Sequence, residues 1–179
     1  YISTLLIALF YQAVEASFMG WLTSFYLDTG VMQESSAQLV TSILWISLLV
    51  GRLSCSAIAL RFKPWQMLNV MCAGMALFML LMLVGSSFPV LLVATIGMGL
   101  CMAGMYGTGV SNAGTLFSEY SEAMGFYVTL NGIGAVAGPA LVGIFANSAD
   151  LRKGFYVLLA ACAVLVLSAL FNTSLMRRK

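Results

Sequence analysis

One carboxylate stands in the middle of an apolar run. In LLIALFYQAVEASFMGWL, residues 5–22, Glu15 is the one charged side chain. A carboxylate at the centre of a bilayer costs about 2.5–3.5 kcal/mol on insertion scales, so it must face water or a partner. Three kinds of chemistry suit it: loading and releasing a proton, binding the hydroxyls or cationic group of a solute, or bracing helices as a hydrogen-bonded carboxyl. Helical spacing puts Ala8, Gln12, Glu15, Met19 and Leu22 on one stripe with a polar centre, as a cavity wall would have. A second intramembrane charge, Arg52, shares a helical face with Thr41 and Trp45. It lies about 13 Å along the axis from Arg61, towards the end of its span, while Glu15 is nearer the middle. A direct pair with Glu15 needs the full reach of the arginine. Snorkelling, or gripping helix-end carbonyls at an interface, is the simpler role for Arg52.

Other side chains offer weaker signals. Trp45 and Tyr106 could stack on a sugar ring or another flat apolar solute, or simply fill the core. Thr108 and Asn112 are four residues apart on one helical face, and Asn131 follows one span later. Such groups bind solutes or join helices equally well. Gly97, Gly99, Gly104, Gly107, Gly109, Gly134 and Gly138 lie inside apolar runs, where they allow close helix approach and cannot form a phosphate-cradling loop. There is no His, no nucleophile beside a base and no cluster of acids. Neither an enzyme, a metal site nor a cofactor is indicated. Cys55, Cys72, Cys101 and Cys162 sit in apolar runs without CxxC spacing and read as small buried hydrophobes.

The elements that hold these groups must cross a membrane. Of 179 residues, 61% are apolar and 8% charged, with mean hydropathy +1.01. A soluble domain carries about 25% charged residues. The net charge of +2 comes from few, scattered bases, which argues against nucleic acid. Spans of roughly 20 apolar residues fall at about 3–27, 37–60, 65–84, 89–117, 123–146 and 154–176. The alternating runs of a membrane barrel are absent. The expected fold is therefore all-α, with six transmembrane helices joined by short loops. With both chain ends on one side, that side carries Arg61, Lys63, Arg177, Arg178 and Lys179, against Arg152 and Lys153 on the other. The excess places both ends in the cytoplasm. Tyr1 stands at the start of the first span, without a basic segment or cleavage site, so we expect one part of a longer chain.

Polarity differs between spans. The first, second, fourth and fifth carry Gln, Ser, Thr, Asn and the charges. The third is Met-rich with little beyond Asn69, and the sixth, GFYVLLAACAVLVLSALF, has almost nothing polar. Polar, polar, greasy, twice over, is the order of a three-plus-three repeat whose third helix faces lipid. LLVGRLSCSAI and GAVAGPALVGI, both runs of small residues late in their spans, echo each other.

On these motifs the chain resembles the carboxyl-terminal half of a major facilitator superfamily transporter, helices seven to twelve. YQAVEASFMGWLTSFYLDTG resembles the seventh helix of sugar-type members, including the fucose permease group. SILWISLLVGRLSCSAIALRF resembles the eighth helix and its turn, GMGLCMAGMYGTGVSNAG the tenth, and NGIGAVAGPALVGIFAN the eleventh. The likeness covers essentially the whole chain. Two departures stand out: Leu60-Arg61-Phe62-Lys63 replaces an Asp-Arg-x-Gly turn, and Gly107 replaces the tenth-helix proline, keeping a flexible point without a rigid kink. The resemblance implies that the first and fourth helices line a central cavity, the second and fifth meet the other half, and the third and sixth face lipid. It implies a secondary transporter for a small polar organic solute such as a sugar, working by alternating access; proton coupling belongs to the first of the three readings of Glu15. The chain would sit in a bacterial inner membrane beside an amino-terminal six-helix half. Gln12, Glu15, Trp45, Tyr106, Thr108, Asn112 and Asn131 would serve substrate or proton. Arg52, Arg61, Gly107, Gly134, Gly138 and Pro139 would serve gating or the interface between halves. A drug or metabolite exporter on the same fold, and a non-transporting membrane scaffold, remain as alternatives.

Overall fold

A computed structural model describes residues 2–146 and 151–176. Arg177, Arg178 and Lys179, which weigh in the charge count above, lie outside the described residues. Among the described residues every regular element is a helix: α1 (Ile2–Asp28), α2 (Glu34–Ile58), α3 (Pro64–Val84), α4 (Phe88–Met102), α5 (Met105–Asn112), α6 (Gly114–Glu119), α7 (Ser121–Phe145) and α8 (Arg152–Met176). Six stretches are long and apolar enough to cross a membrane, α4 and α5 together forming the fourth.

Local chemistry sets the boundaries. α1 ends before Thr29 and Gly30, and Gly30 takes φ 67°, a left-handed turn that favours a residue without Cβ. Pro64 and Pro89 stand in the first turns of α3 and α4, where a missing N–H leaves nothing unsatisfied. At the start of α3 the Lys63 N–H donates to Gln66 Oε1 at 3.1 Å.

The fourth span departs from the single run expected over 89–117. α4 stops at Met102, the chain steps through Ala103 and Gly104, and α5 runs only to Asn112. The break falls at Gly104, not at Gly107, which lies inside α5. Gly104 lies close to two neighbouring helices: a Cβ there would stand 2.5 Å from Cys55 Sγ of α2 and 2.6 Å from Met71 Cε of α3.

Helix pairing follows a swap. α1 packs on α7 and α8, while α4 packs on α2 and α3. The first helix of each triplet thus rests on the second and third helices of the other, as a three-plus-three repeat requires. Both main seams use glycine. A Cβ on Gly134 or Gly138 of α7 would run into the Leu9 or Ala13 carbonyl of α1. On the α2–α4 seam, a Cβ on Gly51 would stand 2.6 Å from Ala103 Cβ, and one on Gly99 2.7 Å from Ser47 Cβ. Such contacts let helix backbones approach closely where hydrocarbon gives little hydrophobic drive. Behind them, Met67, Met71, Met75 and Met79 form a buried four-residue rhythm on α3, sharing the core with Met98 and Met102 of α4.

The bundle ends are tied by polar contacts. At one end Asp28 Oδ2 accepts from the Leu151 N–H at 3.1 Å, and Arg152 Nη2 donates to the Gly85 carbonyl at 3.2 Å. At the other, Ser3 Oγ lies 3.5 Å from Asn172 Oδ1, and Asn69 Nδ2 donates to Thr173 Oγ1 at 2.6 Å. The spans therefore alternate in direction, and α1 begins on the side where α8 ends. These contacts also correct the polarity pattern. The sixth span buries Ser168, Asn172 and Thr173. The last two follow the apolar run that dominates a hydropathy reading, at the end where α1, α3 and α8 meet.

Candidate functional site

Glu15 sits at the midpoint of α1 and is 8% exposed. A cavity of about 380 Å³ opens beside it, lined by Tyr11, Gln12 and Glu15 of α1, Arg52 of α2, Ala103 of the break, and Tyr106 and Gly107 of α5. Just past the helix break, Tyr106 and Gly107 at the start of α5 meet the polar turn of α1. Tyr11 and Gln12, four and three residues before Glu15 on the same helical face, line the chamber beside it, and Arg52 of α2 lines it with them. Tyr11 Oη also lies 3.4 Å from the Met102 carbonyl at the end of α4, a long contact that ties α1 to the break.

A second cavity, about 280 Å³, shares Arg52, Ala103 and Gly107 with the first. It continues past Cys55, Ser56, Thr108 and Ser111 to Phe62 and Pro64, near the end of the bundle that holds Ser3 and Thr173. Arg52 thus stands between a mid-membrane chamber and a passage towards one face. Tyr106 is backed by α7: its ring centroid is 5.7 Å from that of Tyr127, which packs edge-on against Phe117 at 5.5 Å. The arrangement can hold a small polar molecule between a carboxyl, an amide, two phenols and a guanidinium. It can also move a proton at the Glu15 carboxyl.

The model of the family described as Major Facilitator Superfamily matches residues 3–178. The chain belongs to that superfamily. No curated protein and no solved structure matches it. Superfamily members are membrane transporters that bind small-molecule substrates within the bilayer, and the six apolar helices agree with an integral membrane protein.

In this transporter the structure gathers Gln12, Glu15 and Tyr106 as one group and adds Arg52, which the sequence assigns to an interface. Only the Gln12–Glu15 turn of the α1 stripe borders the cavity, since Ala8 and Leu22 are fully buried. Thr108 belongs to the second cavity. Trp45, 53% exposed, lines neither chamber and points off the outer face of α2. Asn112 is buried one turn beyond Thr108, and its Nδ2 has no hydrogen-bond partner. Asn131 Nδ2 donates back to the Tyr127 carbonyl of its own helix at 2.9 Å, holding it at the α7 seam. Gly134 and Gly138 form that seam, and the Pro139 carbonyl accepts from Trp21 Nε1 at 3.2 Å. Arg61 is exposed in the turn after α2. Sequence reasoning misses Tyr11 as a site residue, although its place four residues before Glu15 puts it on the same helical face. It has no signal for Ala103, which lines the cavity from the break between α4 and α5.

Proposed function

We propose that the chain is the carboxyl-terminal half of a secondary transporter that moves a small polar organic solute, such as a sugar, by alternating access. Glu15 carries the coupled proton in this reading. Both chain ends lie in the cytoplasm of a bacterial cell, and an amino-terminal six-helix half closes the open side of the cavity. What carries the reading is the placing of Glu15 at mid-membrane in a chamber with Tyr11, Gln12, Tyr106 and Arg52. Its size falls within the range of about 300–1,000 Å³ of small-molecule sites. Charged groups at this depth are functional by default, because the bilayer penalises them. Trp45, outside the chamber, is assigned to the face that meets the other half rather than to substrate. Arg52, at the junction of two cavities, is placed to gate between them.

The test is Glu15→Gln in the complete protein, reconstituted in liposomes. Glutamine keeps the shape and most hydrogen bonds but holds no titratable proton. Uptake driven by a pH gradient should collapse, while exchange at equal substrate concentrations should persist. Loss of both activities together would make Glu15 a substrate ligand instead. Unchanged gradient-driven uptake would remove both roles and leave it a helix brace.

A further inference from the structure

A third cavity, about 230 Å³, opens on the outside of the bundle between α2 and α3. Its floor is Cys55, Met67 and Met71, and its rim is Ile58, Phe62 and Val70. The rim faces outward: Val70 is 73% and Phe62 54% exposed. The single polar side chain at its edge is Gln66. The Gln66 Oε1 already accepts from the Lys63 N–H at 3.1 Å, so its amide nitrogen is the donor it can turn to a ligand. The groove therefore suits a hydrocarbon chain entering from the bilayer.

The turn above the groove carries charge. Arg61 and Lys63 flank Phe62, and both are exposed. The turn has a set conformation: the Arg61 and Phe62 N–H groups both donate to the Ile58 carbonyl, at 2.9 and 3.2 Å. Phe62 lines the groove, with a cation on either side of it in sequence. Leu60-Arg61-Phe62-Lys63 holds no acid, so the charge of the turn is wholly positive. Two exposed cations in the turn that adjoins a dry groove, on either side of its Phe62, match the two parts of an anionic phospholipid, a charged head and a fatty tail.

We propose that the α2–α3 groove is a binding site for an anionic membrane phospholipid. One acyl chain lies along Ile58, Phe62 and Val70, and the phosphate is held by Arg61 and Lys63. The site is on the outer surface, away from Glu15, and stands whether or not Glu15 couples to protons. Bound lipid would tie the end of α2 to the start of α3, bordering the passage that Arg52 and Phe62 share.

The experiment is native mass spectrometry of the full-length protein in detergent, titrated with phosphatidylglycerol, with phosphatidylcholine of the same chains, and with inorganic phosphate. Each surface cation adds about 1 kcal/mol, or roughly fivefold, so phosphatidylglycerol should bind on the order of twentyfold more tightly than phosphatidylcholine. Arg61→Gln with Lys63→Gln should reduce the preference to about twofold or less while leaving the melting temperature of the lipid-free protein unchanged. Val70→Trp, which fills the rim, should weaken both lipids. Equal binding of the two lipids overturns the proposal. So does a preference that survives the double substitution, or phosphate competing as well as lipid, which would make the turn an ion site without a groove.

Discussion

At the scale of the residue, the site rests on one turn of α1. Tyr11, Gln12 and Glu15 converge there because positions three and four apart share a helical face. The Tyr11 hydroxyl lies 3.4 Å from the Met102 carbonyl at the helix break, and Tyr11 lines the chamber beside Glu15. Tyr11→Phe removes only that hydroxyl. Its stability cost should be about 1 kcal/mol, the usual worth of a buried hydrogen bond, read as a small fall in melting temperature. If Tyr11 acts through Glu15, it should also slow gradient-driven uptake, and adding it to Glu15→Gln should cause little further loss. Additive losses in that double-mutant cycle would separate the two residues. Glu15 was legible from sequence because a charge in an apolar run is costly wherever the chain folds. Gln12 followed from its stripe, and Tyr106 from its place in a polar span. The sequence points Arg52 to an interface, because depth reckoned along one helix does not show that a chamber shared with α1 and α5 reaches across to it.

At the scale of the element, glycine decides how close the helices lie. Gly134 faces the Leu9 carbonyl and the Ala13 amide, backbone atoms that cannot swing aside as a side-chain tip can. Gly134→Val should force α1 and α7 apart and cost about 1–3 kcal/mol, as overpacking does. Gly125→Ala, also in α7, meets nothing within 4 Å and should leave the melting temperature unchanged or raise it. Thermal melts of the two variants make the comparison, and equal effects would mean that the seam is looser than it looks. The helices themselves were readable because runs of about 20 apolar residues leave a chain few alternatives in lipid. The break in the fourth span was not. It falls at Gly104, where Cys55 and Met71 of two other helices come close, and six other glycines in these runs look the same in sequence. The buried Asn172 and Thr173 were hidden for a related reason. Hydropathy averages over a window, and two polar residues at the end of a strongly apolar run barely change it.

At the scale of the whole molecule, the question is which faces the bilayer can tolerate. Seen from outside, α2 and α7 show large apolar side chains such as Trp45, Leu49, Ile133 and Val136, and α3 and α8 show Leu77, Leu80, Leu167 and Leu170. Apolarity alone does not tell a lipid face from a protein face. Charge does. The cavity side, formed by α1, α2 and α5, holds both Glu15 and Arg52, and a lipid-facing pair of charges at that depth would cost several kcal/mol. That side must meet water or protein, and α2 and α7, each packed on a cavity helix, lie next to it. The outer surfaces of α3 and α8 carry aliphatic side chains over most of the span. In the complete transporter, an apolar carbene reagent dissolved in the bilayer should therefore label Leu77, Leu80, Leu167 and Leu170 strongly. On the proposed arrangement, Trp45, Leu49, Ile133 and Val136 should be protected by an amino-terminal half. The contrast should vanish for the second set when the six-helix half is reconstituted alone, because nothing then covers α2 and α7. Strong labelling of Trp45 and Ile133 in the complete protein would mean that these helices form the lipid rim. The partner would then have to cover another face, and the division of labour between the triplets would have to be redrawn.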